Sequence, residues 1–453
     1  MSFLLRPDGA MTIGIRLVGG AAILLLGSWS AISFLSSMGC AARSRGVSTP
    51  VDAARAVRDP ALDARLTALR ARLDELARPT FEFWHVHGPD RAHGGFHGTL
   101  DRHGNPIAPT DKSLIQTVRH LWAMSMWYER KQAAPDVKAL ADGLYTFLMS
   151  SFRDAADDQF YLTVSETGAP VDRQKLLAGQ ALAIYALTEY ARVFHHAAAG
   201  AQALATFHAL DGLHDARFGG YIQLAPDMRK ETVAQVHLLE AFTALDSYSH
   251  DSTVRARLEE MAAVVADRLL QKSGSLDRAF LPDWTPIGTP AVNYGHDMES
   301  GWLLLEAARA LGRPADPKLV GAAKTMILSA ARTGYDAAKG GYFEEGPPGG
   351  APAKLDKVWW AQAEALLGLW RAYELTGDVT LLDRLDGTLR FVETALADPV
   401  DGEWFWSLRP DGGFGEKGDI KGSARKASYH TLRALVFTEG WIAAAQQVPA
   451  TAP

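Results

Sequence analysis

A single cysteine, Cys40, occurs in 453 residues, so the chain can form no internal disulfide. Runs of lysine and arginine are missing too. With a formal net charge of −6, the chain lacks the basic track that a nucleic-acid partner requires. β-Branched runs are rare whereas alanine and leucine are frequent, which favours helix over sheet. Only one long apolar run catches the eye, from Leu17 to Leu35. It follows Arg6 and Arg16 and leads into Ser36-Ser37-Met38-Gly39-Cys40. A basic start, an apolar middle and a small-residue end read as a secretory signal. A run of ~20 residues also suits a membrane anchor. Gly39 before Cys40 suits a bacterial lipoprotein, although Ser37 stands where leucine is commoner. Each reading places the rest of the chain outside the cytoplasm. Residues 1–56 are therefore expected to be leader and tether, and 57–450 the folded domain.

An internal repeat decides the fold. An acidic residue, then glycine, then an aromatic recur about every 60 residues. The copies are Asp90…Gly94-Gly95-Phe96, Asp157-Asp158-Gln159-Phe160-Tyr161 and Asp215…Gly219-Gly220-Tyr221. A weak fourth is read at Leu276-Asp277-Arg278-Ala279-Phe280. The last two are Asp336…Gly340-Gly341-Tyr342 and Asp401-Gly402-Glu403-Trp404-Phe405. Between them, apolar residues recur at three- and four-residue spacing in pairs of segments. The expected helices are 60–84, 111–130, 135–152, 172–195, 197–210, 231–248, 252–271, 296–312, 316–333, 356–376, 379–397 and 427–447. Twelve helices in six hairpins predict an all-α closed ring, the (α/α)6 barrel. An open solenoid would need capping repeats, and none is evident. Alternate helices would line the axis, with a pocket at the mouth.

The axial helices carry the residues able to do chemistry. His237 and Glu240 lie three apart; His296, Glu299 and Trp302 follow at the same step; Trp360 and Glu364 lie four apart. Such spacings share one helix face. Arg119 lies on the second helix and His430 opens the last. Taken singly, His237 reads as a satisfied core residue, the tryptophans as packing and Arg119 as a partner for a carboxylate. His195, His196, His208 and His250 read as surface or loop residues. His296 and Glu299 have a spacing found in metal sites, but no second ligand pair and no cysteine completes one, so neither metal nor cofactor is expected. The convergence of histidines, arginine, glutamates and tryptophans on one axis points to a sugar. Aromatic faces and charged hydrogen-bonding groups recognise sugars, and histidine gives and takes protons near neutrality.

These motifs resemble the N-acylglucosamine 2-epimerase superfamily, which includes cellobiose 2-epimerases and bacterial mannose isomerases. The likeness is carried by Gly94-Gly95-Phe96-His97-Gly98…Asp101 and Lys112…Arg119…Trp122…Ser125. It continues in His237-Leu238-Leu239-Glu240-Ala241, His296-Asp297-Met298-Glu299…Trp302, Trp359-Trp360-Ala361-Gln362-Ala363-Glu364 and Tyr429-His430…Arg433. It runs colinearly over roughly residues 60–447 and is nearest in character to the cellobiose 2-epimerase branch. The resemblance implies metal-free proton transfer at C2 of a reducing sugar through an enediol or enediolate. It implies His296 and His430 as acid and base on opposite faces, and His237 at the ring or C1 oxygen. It further implies Arg119 as oxyanion stabiliser, Glu299 and Glu364 as orienting groups, and Trp302 and Trp360 as sugar walls. The chain departs from the family at Val233, where an asparagine usually touches the sugar. It departs again at Arg425, where a tryptophan is usual, and at Ser428 and Thr431. Arg425 would suit an anionic or differently linked sugar. An aldose–ketose isomerase uses the same pocket. A glycoside hydrolase or lyase, or a carbohydrate-binding protein without activity, are the more distant alternatives, because this fold hosts several activities.

Overall fold

The computed structural model describes residues 59–131, 135–223 and 228–447. Cys40 and the leader lie outside these residues. Twelve α-helices follow one another: α1 (Pro60–His87), α2 (Leu114–Arg130), α3 (Pro135–Phe147), α4 (Leu177–Phe194), α5 (Ala197–Asp211) and α6 (Thr232–Ser249). Then come α7 (Ser252–Val264), α8 (Tyr294–Ala310), α9 (Pro317–Thr333), α10 (Trp359–Thr376), α11 (Val379–Phe391) and α12 (Tyr429–Gln447). The even-numbered helices pack side to side in order, and α12 packs back against α2. The odd-numbered helices form an outer layer, each against an inner neighbour. The architecture is the (α/α)6 barrel expected from the repeat.

Inner and outer helices are joined at one end by tight turns. His195 and His250 cap α4 and α6 in the left-handed conformation, so they are turn residues. The sixth hairpin is assembled from the two ends of the domain: α1 packs on α12. Arg70 on α1 donates to Glu439 on α12 at 2.9 Å. At the other end, two-residue strands from successive repeats pair antiparallel around the rim. Lys112 faces Val164, Lys230 faces Phe280, Val292 faces Gly346 and Lys357 faces Leu408. A bridge between Leu100 and Gly422 closes the rim from the sixth repeat to the first.

The repeated acidic turn has a specific job. Asp90 accepts the backbone N–H groups of Ala92 and His93, and its other oxygen takes the Lys112 ammonium at 2.7 Å. The same ammonium donates to the Gly94 carbonyl at 2.6 Å. Gly94 and Gly95 have positive φ, and a Cβ on Gly95 would meet the Phe147 ring at 2.7 Å. The lock recurs as Lys230 with Asp215, Lys357 with Asp336 and Lys421 with Asp398, and Lys175 reaches both Asp154 and Asp157. Each lysine precedes an inner helix, so the pair ties the outer turn to the start of the helix that lines the pocket.

Two of the expected turns sit elsewhere. The turn acid of the sixth repeat is Asp398 rather than Asp401, because Asp398 takes the lysine. The fourth turn spans Leu270–Leu276, whose ends bridge as the other turns do, and not 276–280. Its glycine–aromatic signature is lost, which is why the sequence misplaces it. The outer helices of the second, fourth and sixth repeats end in a π-helical turn (Leu148–Phe152, Val265–Leu269, Val392–Leu396), whereas the others end at glycine. The ring is thus three alternating pairs.

Lys112 and Asp90 are both buried. Lys112→Met would leave a buried carboxylate without its cation, and we expect a loss of ~3–5 kcal/mol. Urea unfolding followed by circular dichroism checks this. Lys112→Met combined with Asp90→Asn should recover part of the loss; an unchanged midpoint in the single variant would mean the pair contributes nothing.

Candidate active site

The inner helices begin at the rim, so the positive ends of their dipoles lie there. Three of the candidate site residues sit close to these ends. His296 is the third residue of α8, Trp360 the second of α10 and His430 the second of α12. The ring of Trp360 lies 4.7 Å from that of His296 and 6.0 Å from that of His430. Two imidazoles therefore lie close to one half-buried indole. Thr232, Val233, Val236, His237, His296, Glu299 and Ser300 line a narrow pocket beside them.

Below the histidines lies one buried cation. Arg433 donates to Glu240, to Glu299 at 3.1 Å and to Glu364 at 2.7 Å. Three carboxylates from α6, α8 and α10 thus meet a guanidinium from α12. Tyr429 adds its hydroxyl to Glu240. Burial alone would raise the Glu240 carboxyl, but Arg433, His237 and Tyr429 hold it below the usual range. Burial and the neighbouring Glu364 charge push Glu299 up, while Arg433 and His430 hold Glu364 down.

The glutamates in turn orient the histidines. His430 Nδ1 lies 2.7 Å from Glu364, and His237 Nδ1 lies 3.1 Å from Glu240. Facing a carboxylate, Nδ1 carries the proton and Nε2 is left as a base. Burial is the main cause that lowers His296 to about 4, with His237 and Arg278 adding to it. Burial lowers His430 to about 3, helped by Arg119 and opposed by Glu364. Both rings are neutral at physiological pH and ready to accept a proton.

Arg119 is buried, donates from Nη1 to the Arg425 carbonyl at 2.7 Å, and stands over the Tyr429 ring. Its Nε has no hydrogen-bond partner among the described residues. The adjacent His120 packs between Trp84 and Phe96 and bonds Ser428 at 2.9 Å, so it supports the start of α12. Arg425 itself is exposed at the rim, with its carbonyl holding Arg119. Trp302 has a different place from the sugar wall expected. It is 1% exposed, lies beneath the Arg433 guanidinium and against Trp441, and donates its indole N–H to Glu364 at 2.8 Å. Its burial makes it a support for Glu364. The motif that holds Arg433 and Tyr429 gives neither a role, because nothing in a sequence marks which arginine three carboxylates share. Glu299, Glu364 and His430 offer ligand atoms within 4.8 Å of one another, a spacing that could hold a metal ion. Arg433 already bonds both carboxylates there, and a second cation would meet its charge.

The family model for N-acylglucosamine 2-epimerase matches residues 94–434. The chain belongs to that family. It is, with its relatives, an isomerase. The cellobiose 2-epimerase of Bacteroides fragilis is 30% identical over 387 residues, 80% of this chain and 96% of that protein. The N-acylglucosamine 2-epimerase of Rattus norvegicus is 26% identical over 411 residues, 86% of this chain and 95% of that protein. Among solved structures, cellobiose 2-epimerase from Spirochaeta thermophila superposes with a TM-score of 0.79 at 30% identity, covering 86% of this chain and 100% of that one.

The depressed histidines make a checkable statement. Both folded values lie below the unfolded one, so the unfolded chain takes up protons between about pH 6.5 and 3 that the folded chain refuses. Stability from these two groups is present above pH 6.5 and declines as pH falls through that window. Nitrogen-15 NMR of labelled histidines should show His296 and His430 still neutral at pH 5.5. Midpoints near 6.5 for both would contradict the geometry.

Proposed function

We propose that the chain is a 2-epimerase acting at C2 of a reducing-end aldose, either a cellobiose- or mannobiose-like disaccharide or an N-acylhexosamine. The observation that carries this reading is the pair of neutral imidazoles, His296 and His430, both beside the Trp360 indole. The opened sugar lies along the Trp360 indole. One imidazole takes the C2 proton, the electrons pass to the C1 oxygen, and a cis-enediolate forms. The other imidazole takes a proton from solvent at the nitrogen facing the sugar and gives it to the opposite face of C2, which inverts C2, while the first imidazolium releases its proton to solvent. One base cannot readily serve both faces, which accounts for two histidines on different helices. His237, set by Glu240, handles the ring or C1 oxygen. Arg119, with a donor to spare, and the inner-helix N-termini stabilise the developing oxyanion. Glu364 fixes the His430 tautomer and Glu299 faces the sugar hydroxyls. Arg425 meets the distal part of the substrate at the rim. Val233, on the pocket wall, gives the sugar an apolar neighbour.

From residues 1–56 we also propose export, with retention at a membrane through the apolar run or a lipid on Cys40. Carbohydrate is the partner of the folded domain.

Incubation with a panel of reducing sugars in D2O, followed by NMR, tests the reaction. Loss of the C2 proton signal with formation of the C2 epimer is expected. His296→Ala and His430→Ala should each slow exchange by roughly 10²–10⁴-fold. Ketose as the main product would instead assign aldose–ketose isomerisation. Binding without exchange, unaffected by either substitution, would overturn both.

A further inference from the structure

Three inner helices carry an identical device near their N-termini. Gln180, Gln235 and Gln362 each follow a rim lysine by five positions (Lys175, Lys230, Lys357). Each carboxamide spans one backbone residue of the neighbouring turn. The oxygen accepts the N–H of Phe160 (2.9 Å), Tyr221 (3.0 Å) and Tyr342 (2.7 Å). The nitrogen donates to the carbonyl of the same residue, at 2.8, 2.7 and 2.8 Å.

Helix α8 departs from this pattern. Val292 stands where the lysine would be, and five residues on is Asp297. Its Oδ1 accepts the N–H of Leu276 at 3.1 Å, the turn residue that takes the place of the aromatic. Its Oδ2 is buried and has no hydrogen-bond partner among the described residues. A carboxamide both accepts and donates; an ionised carboxylate only accepts; a carboxylic acid again does both.

We propose that Asp297 is held as a neutral carboxylic acid that replaces the glutamine, with Oδ2–H donating to the Leu276 carbonyl. It thereby positions the start of α8, which carries His296 and Glu299. Of the groups facing it, two hydrogen-bond donors favour the charged form, and burial outweighs them. The turn opposite contributes the Ser275 hydroxyl and the Leu276 N–H, and among the described residues no cation acts on it. On its own helix the titratable neighbour is Tyr294, whose hydroxyl is pushed up by burial and by the Asp297 charge. Burial pushes the Asp297 carboxyl up to about 8. In the unfolded chain the group ionises near pH 4. The folded chain keeps a proton that the unfolded chain releases, so this contribution is full below pH 4 and declines as pH rises to 8.

Asp297→Asn in the full chain keeps both hydrogen bonds without the proton. Its melting temperature should gain on the wild type by roughly 3–8 °C between pH 5 and 8. The infrared carboxylic-acid C=O stretch present in the wild type at pH 6.5 should lose intensity in the variant. A pH-independent difference in melting temperature with no loss of that band would overturn the proposal. Should Asp297→Asn fail to fold, Gln235→Glu applies the same logic to another repeat. That variant should gain the band and fall progressively below the wild type in melting temperature as pH rises; a spectrum of ionised carboxylate only would overturn the proposal. The effect on catalysis rests on the epimerase reading: an alkaline limb in kcat near pH 8 should disappear in Asp297→Asn while KM is unchanged. Absence of C2 exchange in the wild type would sink the epimerase reading and leave the infrared and melting results standing.

Discussion

The Arg433 guanidinium is the contact on which the pocket depends. It meets Glu240, Glu299 and Glu364, so a single side chain on α12 joins α6, α8 and α10. Three carboxylates around one buried cation cannot all ionise cheaply. The pull divides them: Glu240 and Glu364 are held down and Glu299 is pushed up. The two that stay charged are those that face a histidine Nδ1. Arg433 favours the anion at all three, and the hydrogen bonds from His237 and Tyr429 to Glu240 and from His430 to Glu364 set those two apart from Glu299. The anionic glutamates decide the tautomers of His237 and His430, and the tautomers leave Nε2 free. A chain of three electrostatic steps connects Arg433 to Nε2 of two histidines.

That arrangement needs helix ends placed to within fractions of an ångström, and the rim supplies this. Lysine–aspartate pairs tie five of the six outer turns to the next inner helix, and in the second, third and fifth turns a glutamine adds a further grip. The fourth repeat lacks both the lysine and the glutamine, and it introduces α8, the helix that carries His296 and Glu299. A buried aspartate in that position keeps the grip only as long as it keeps its proton. The repeat without a lysine–aspartate pair is therefore the one that introduces His296 and Glu299.

Much of this was legible from spacing. The six turns required six hairpins, and helical periodicity placed His237, His296, Glu364 and His430 on the inner helices where they lie. Helix ends were read within a few residues because glycine and aspartate mark them. The fourth turn was misread because Leu276 replaces the aromatic and no glycine pair survives. Trp302 was read as a sugar wall because spacing says which face a residue shares and not how deep it lies. Arg433 went without a role for a related reason. A buried arginine gains its function from carboxylates on three other helices, and those are 69 to 193 positions away in sequence. The leader and Cys40 lie outside the described residues and stay as sequence readings.

The ring alone does not choose among sugar chemistries, because the same architecture serves hydrolases as well. The carboxylates choose. A glycosidase needs one carboxylic acid and one carboxylate flanking the bond, each with a free oxygen to offer. Glu364 has none to spare: one oxygen serves His430 and Arg433, and the other serves Trp302. Glu299 is tied to the same guanidinium on the same side of the pocket. The imidazoles of His237 and His296 line the pocket, and those of His296 and His430 lie close to the Trp360 indole. Imidazoles with depressed proton affinity suit the removal of a proton from carbon next to a carbonyl, once that carbonyl's oxygen is stabilised. Breaking a glycosidic bond would require the carboxylates that this chain has already committed to holding its histidines.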